Sequence, residues 1–456
     1  MTRRVRAGTV AVFALLCTVA FDACSDAGKS PVSPASPVDA VARFGKTKST
    51  TTVSVTAADP AFGDQGELNE TVTISGSGFK SGAQAAWVLN GAVDPTITVS
   101  STQFVNSTTL VAVISIAPTS PLDFRDILVT NSDRTQGIGA AVFEVTQAHI
   151  VDGTSAARAV NDQGEATGSL ANGGPFYYDI ATGLLQAITS STSGTGYDIS
   201  PTGNAIAGND GTGPVLFTRA GPIGTAWSAT ALPIDPSSTG GSANAMVADP
   251  ATGQVTLIGG TEYVPQSGGC AVSTPVVWSW QAATGTWQRT ELPKNGNCRA
   301  DVWPRGLSAN GTAIGRVGGV AAVWTPDGSG AYTLTLLDGS YAYGINGDGT
   351  MVVGARNVTR SKLAAAYWLL SPSGWGHETD FPGGCSQARD AANSSGRVTL
   401  DCGYPAFMDA PYTTPINMGG VGRGGAFISG ISPSGTYMVG NGTTSGNVQV
   451  GLYWQP

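Results

Sequence analysis

The chain has 456 residues, only 12% of them charged, and a formal net charge of −8. So few charges with 63 glycines suit short strands joined by tight turns, not helices, which draw on Ala, Leu, Glu and Lys. The acidic balance excludes the basic footprint of a nucleic-acid binder, and beyond the N-terminus no apolar run reaches the roughly 20 residues that span a bilayer.

Arg3, Arg4 and Arg6 precede an apolar run, Ala7 to Phe21. The length fits a signal peptide better than a membrane span, so residues 1–23 are expected to leave on export. The following Phe21-Asp22-Ala23-Cys24 resembles a bacterial lipobox, in which a small residue precedes a cysteine that receives a lipid. Ala23 fits that pattern, whereas Phe21 and Asp22 depart from it. The resemblance implies lipidation of Cys24, and cleavage without a lipid, giving a secreted protein, stays open. Residues 24–52 are rich in Ser, Pro, Thr and Lys without periodicity and read as a disordered tether. The expected location is the cell envelope, as an outer-membrane or surface lipoprotein held to the membrane through its anchor alone.

Between 53 and 147 short alternating stretches recur: Val53-Ser54-Val55, Thr71 to Ser75, Thr96 to Val99, Leu110 to Ile114, Asp126 to Thr130 and Phe143-Glu144-Val145. Such strands at roughly ten-residue spacing predict an antiparallel β-sandwich. Thr71-Val72-Thr73-Ile74-Ser75-Gly76-Ser77-Gly78-Phe79, the later Ile127-Leu128-Val129-Thr130-Asn131 and Phe143-Glu144-Val145 resemble an IPT/TIG domain. That resemblance implies an immunoglobulin-like fold serving as a spacer or binding unit, with no chemistry of its own.

From 148 to 456 a unit of strand, polar turn with Gly, and second strand returns. The clearest copies are Gly344-Ile345-Asn346-Gly347-Asp348-Gly349-Thr350-Met351-Val352-Val353-Gly354 and Gly430-Ile431-Ser432-Pro433-Ser434-Gly435-Thr436-Tyr437-Met438-Val439-Gly440. Further copies begin at Ala159, Asp198 and Gly306, and two degenerate ones run from Met246 and Ala391. A third strand then ends on an aromatic residue or Met, as at Trp278, Trp324, Trp368, Met408 and Trp454, and a fourth usually follows. Four short strands in about 40–45 residues predict a propeller blade, and the copies predict a seven-bladed ring. A β-solenoid is the rival, disfavoured because the turns sit at hairpin spacing within each unit. The last copy lacks a fourth strand, and His149-Ile150-Val151-Asp152 is expected to supply it by pairing beside Leu452-Tyr453-Trp454. The repeat resembles the extracellular HAF repeats, best over residues 342–368, a resemblance that says little about activity. The expected fold is therefore all-β: an immunoglobulin-like sandwich followed by a seven-bladed β-propeller.

Four cysteines remain beyond Cys17 and Cys24, and their places in the units predict disulfides Cys270–Cys298 and Cys385–Cys402. An oxidising compartment agrees with export. With His149 and His377 alone and far apart, no metal site is expected, and no cofactor. Asn346-Gly347-Asp348-Gly349 lacks the acidic series of a calcium loop and reads as a hairpin turn.

In a propeller the first strand of each blade lines the channel. Just before the small or aliphatic pairs that end these strands stand Arg158, Tyr197, Arg305 and Tyr343, and, in a less certain register, Asn244 and Asp390. Hydrogen-bond donors beside flat apolar rings suit sugars or carboxylates. The expected function is a non-catalytic binding or scaffold protein, monomeric, with carbohydrate or another surface protein as partner. The alternative is a propeller-type polysaccharide hydrolase or lyase, disfavoured because no pair of carboxylates recurs in the sequence as an acid and base would.

Overall fold

In the computed structural model the described residues are 52–189, 193–265, 271–294, 306–391, 396–421, 425–444 and 446–455. The signal segment, Cys24, the tether, the Cys270–Cys298 pair and Arg305 lie outside the described residues. All regular structure among the described residues is β-strand, with no helix.

Two sheets occupy the first region. One orders Ser54–Asp59, Glu70–Ser77, Thr109–Ile116 and Ile97–Asn106; the other orders Phe62–Asp64, Gln136–Thr146, Phe124–Thr130, Gln84–Leu89 and Ala92–Val93. Alternation along each strand sends one row of side chains inward. Val72, Ile74, Leu110, Ile127 and Val129 form the core with Trp87, whose ring meets Phe143 edge-on at 5.6 Å. Beside this core Arg125 is buried and donates through Nε to Asp94 at 2.6 Å. Burial pushes the Asp94 carboxyl up, but hydrogen bonds from Thr96 and Arg125 outweigh it and hold the group below its usual range.

The second region is a succession of antiparallel meanders. Each begins with an inner strand: Thr154–Val160, Thr195–Ile199, Gly241–Ala248, Gly306–Leu307, Tyr341–Ile345, Gln387–Ala391 and Ala426–Ile431. Six of the sheets have four strands and the fifth in chain order has five. Every inner strand lies beside the next, and the seventh lies beside the first. The seventh sheet takes its outermost strand from His149–Val151, which pairs antiparallel with Gln449–Trp454 in the register His149 to Tyr453.

The recurring turn has a local cause. Asn346 accepts the backbone N–H groups of Thr350 and Met351 on Oδ1, and Gly349 follows at φ +76, a conformation that suits glycine. Third-strand tryptophans tie neighbouring sheets together. Indole Nε1 of Trp278 donates to the Pro233 carbonyl and that of Trp324 to the Pro293 carbonyl, each at 2.7 Å. Trp368 reaches Asp338 Oδ1 at 2.7 Å and Trp454 the Gly419 carbonyl at 3.2 Å. In all four the acceptor lies just beyond the outer strand of an adjacent sheet. Cys385, before its inner strand, is bonded to Cys402, after the second strand of the same sheet, as their positions predict.

The two regions share polar contacts. Gly420 N–H donates to Glu144 Oε1 at 2.9 Å and Gln147 N–H to the Met418 carbonyl at 3.3 Å. His149 Nδ1 stands 3.0 Å from Asp64 Oδ2, and its ring stacks on Tyr453 at 4.7 Å.

Candidate functional site

Where the inner strands meet, a cavity of about 530 Å³ opens. Its wall follows from one repeated backbone feature. In six of the seven inner strands the pairing with the second strand skips a residue at a matching place: Arg158, Tyr197, Asn244, Tyr343, Arg389 and Ser429, the first strand also skipping Ser155 near its start. A β-bulge leaves its extra residue out of the ladder and re-aims the side chain. The six residues skipped at the matching place all line the cavity.

The sequence-predicted residues fall as follows. Arg158, Tyr197, Asn244 and Tyr343 are skipped residues and share the cavity. Arg305 lies outside the described residues, next to Gly306, which lines the cavity. Asp390 also lines it, but not in the expected register. The skipped residue of the sixth sheet is Arg389, and Asp390 occupies the next position, equivalent to Asp198. At that position the other sheets carry Gly or Ala, because neighbouring inner strands approach closely. A Cβ on Gly344 would lie 2.6 Å from Asp390 Cα, and one on Gly430 the same distance from the Arg158 carbonyl.

The two aspartates span these close approaches. Asp198 accepts the N–H of Ile199 at 2.8 Å on Oδ1 and that of Met246, in the next inner strand, at 2.7 Å on Oδ2. Asp390 does the same with Ala391 at 2.9 Å and Ile431 at 3.2 Å. Both carboxyls touch the cavity yet are set among the packed strands. Burial pushes Asp198 up to about 7 against the pull of its two N–H partners. Burial raises Asp390 to about 7 as well, with the charge of Asp198 adding to it. A second cavity of about 240 Å³, walled by Ile199, Met246, Leu307 and Ile431, shares both aspartates with the first. The carboxyls therefore face both cavities.

Tyr343 of the cavity wall belongs to an ordered stack. Tyr341 and Tyr343 lie parallel with centroids 5.2 Å apart, and the Arg316 guanidinium sits 4.2 Å from the Tyr341 centroid. The Arg389 guanidinium stands 5.2 Å from the Tyr343 centroid and 5.1 Å from that of Phe427, and Phe427 lines the cavity too. Its Nη2 is 3.9 Å from Asp401. Arg389 Nε and Ser429 Oγ are buried without a hydrogen-bond partner among the described residues.

Asp198, Arg389, Ser429, Tyr263 and Phe427 were not anticipated. A signal existed for the first two: Tyr197-Asp198-Ile199 and Arg389-Asp390-Ala391 share an Asp before an aliphatic residue, which aligns the sixth unit one residue from the register adopted above. Away from the cavity, Asp338, His377 and Glu378 offer ligand atoms within 4.8 Å of one another. Asp338 is already engaged there by Trp368 and by His377 at 2.7 Å, and His377 is exposed.

No family model matches the chain, and no curated protein is similar to it at a significant level. Among solved structures the chain is similar in fold to β-propeller domains. The Cps50 (Swd1) β-propeller domain of Myceliophteria thermophila is 8% identical with a TM-score of 0.46, covering 68% of this chain and 99% of that one. The β-propeller domain of the trilobed protease from Pyrococcus furiosus is 10% identical with a TM-score of 0.37, covering 79% and 95%. Puromycin hydrolase is 13% identical with a TM-score of 0.42, covering 66% and 51%.

Proposed function

We propose that this chain is an exported, monomeric binding protein, lipid-anchored at Cys24, in which an immunoglobulin-like sandwich of the IPT/TIG type carries a seven-bladed β-propeller of HAF-like repeats. The central cavity of the propeller is the ligand site. The observation that carries this reading is the set of six bulges that turn Arg158, Tyr197, Asn244, Tyr343, Arg389 and Ser429 into one cavity. Bulges recurring at one position serve to place side chains, and guanidinium, phenol, amide and hydroxyl groups beside aromatic faces suit a small polar ligand. Carbohydrate, free or displayed on a partner surface protein, is the class that fits.

A glycan array probed with the purified chain tests the site. Binding to at least one sugar, abolished by Tyr197→Ala with Tyr343→Ala at nearly unchanged melting temperature, is expected. Affinity kept by the double variant would move the site off the cavity. Incorporation of a palmitate analogue into the wild type and not into Cys24→Ser tests the anchor, and equal labelling of both would remove it.

Asp198 and Asp390 favour a second reading, a polysaccharide hydrolase or lyase, since two carboxyls titrating near neutrality in one cavity are what acid–base chemistry requires. The binding reading is preferred because all four carboxyl oxygens already accept backbone N–H groups that hold neighbouring sheets together. Release of reducing ends or unsaturated ends from a polysaccharide, lost in Asp390→Asn, would reverse that preference.

A further inference from the structure

The cavity is not chemically even. Around the ring of inner strands the sixth, seventh and first are neighbours, because the seventh lies beside the first. Their skipped residues are Arg389, Ser429 and Arg158, so two guanidiniums flank a hydroxyl on one arc of the wall. Two donors on this arc, Arg389 Nε and Ser429 Oγ, are buried and unpartnered among the described residues. Leaving a buried donor unpaired is costly, so these groups give the arc an unmet polar demand beside the exposed Arg158. Tyr343 and Phe427 stand beside the Arg389 guanidinium at 5.2 and 5.1 Å, and Asp401 lies 3.9 Å from its Nη2, so a ligand meets the remaining N–H groups. A carboxylate matches a guanidinium fork through two parallel hydrogen bonds.

The two aspartates make the opposite demand. Asp198 and Asp390 bring only oxygen, and each oxygen that takes one backbone N–H keeps a second lone pair for a ligand hydroxyl. A ligand that satisfies both sides carries a carboxylate at one end and hydroxyl donors at the other. A dianion would meet the two aspartates, whereas a monoanion finds two arginines before it reaches them. A volume of about 530 Å³ holds one or two sugar rings.

We propose that the cavity binds a hexuronate, an acidic sugar whose carboxylate sits on the Arg389–Ser429–Arg158 arc and whose hydroxyls reach Asp198 and Asp390. This deepens the binding reading above and rests on it. Titration calorimetry of the purified full chain with sodium D-galacturonate, tri-galacturonate, D-galactose and sodium sulfate tests it. The uronates should bind at least roughly ten-fold more tightly than galactose or sulfate. Arg389→Gln should weaken uronate binding at least about ten-fold, and Arg389→Lys should not restore it, because the planar fork is lost. Should an Arg389 variant fail to fold, Ser429→Ala carries the test, since removing an unpaired hydroxyl does not harm folding. It should weaken uronate by about three- to ten-fold and leave galactose unchanged. Tri-galacturonate binding more tightly than the monomer identifies a polymer end as the source, and equal affinity identifies the free sugar; both support the proposal. Galactose bound as tightly as galacturonate, with sensitivity to Tyr197→Ala, overturns the acidic ligand while the binding cavity stands. Sulfate bound in place of uronate also overturns it. No heat from any sugar at millimolar concentration overturns both.

Discussion

Asp198 and Asp390 show how a residue can be placed for structure and still dominate a site. Each bridges two inner strands through backbone N–H groups, and each is pushed up to about 7, first of all by burial. In the unfolded chain a carboxyl releases its proton near pH ~4. Between that value and about 7 the folded protein holds more protons than the unfolded one, so stability falls as pH rises and levels off above 7. His149 acts in the same direction. Its hydrogen bond to Asp64 raises its pKa, so its contribution is full below the unfolded value and is lost as pH rises through the folded one. The aspartate part is isolated by comparison. From pH 5 to pH 8 the melting temperature of the wild type should drop more steeply than that of Asp198→Asn with Asp390→Asn. Parallel slopes would show that these carboxyls are ionised throughout. The residue scale is also where the sequence was least informative. Glycine and alanine at the positions matching Asp198 read as small channel residues, which hides Asp198. Which residue a bulge ejects depends on pairing with the neighbouring strand, so the sequence alone puts Asp390 where the structure has Arg389.

At the scale of elements the pattern was easier to read. Asn or Ser opening the turn, Gly at its left-handed corner and an aromatic closing the third strand are local chemistry, and they appear in the sequence as a period. Gln84–Leu89 escaped because two of its early positions are Ala, too weak an apolar signal to reveal alternation, although Trp87 on it anchors the sandwich core. The function of the third-strand Trp could not be read from periodicity, because its acceptor belongs to an adjacent sheet. The clasp is testable. Trp454→Phe keeps a large ring but leaves the buried Gly419 carbonyl unpaired, at a cost of about 1–3 kcal/mol. Trp324→Phe abandons the carbonyl of exposed Pro293, which water can rejoin, and should cost less. Urea denaturation of both should rank them in that order. Equal losses would mean that ring volume, not the hydrogen bond, does the holding. In the sandwich, Arg125→Met should be harsher, about 3–5 kcal/mol, because it strands the buried Asp94 carboxylate.

At the scale of the whole molecule the expectation of a strand lent from the front of the repeat region was drawn from arithmetic, three strands in one unit and a spare elsewhere. His149–Val151 pairs with Gln449–Trp454 accordingly. A chain beginning at Thr154 should melt lower and be less soluble than one beginning at Val142, since it exposes the edge of the strand that ends at Trp454. Identical melting would deny the pairing any weight. That pairing also implies a sandwich set close against the repeat region, but the residues that make the contact are not legible, because Glu144, Gln147 and Gly420 are ordinary surface types until the fold brings them together.

That lent strand also sets a schedule. Thr154 Oγ1 accepts the N–H of Gly451 at 3.1 Å, 297 residues further along the chain. Closing a loop of that length in an unstructured chain costs roughly 5 kcal/mol of chain entropy, less once the intervening sheets have packed on one another. As the polypeptide emerges, the intervening sheets can form as local meanders, each from its own stretch of sequence. The seventh must wait for the last of its strands, with His149–Val151 unpaired throughout. Completion of this one sheet is therefore a late event that reports on every residue before it. A chain cut short just ahead of Gln449 keeps the earlier sheets and their clasps but never acquires the joint between its first and last strands, and proteases would find it there.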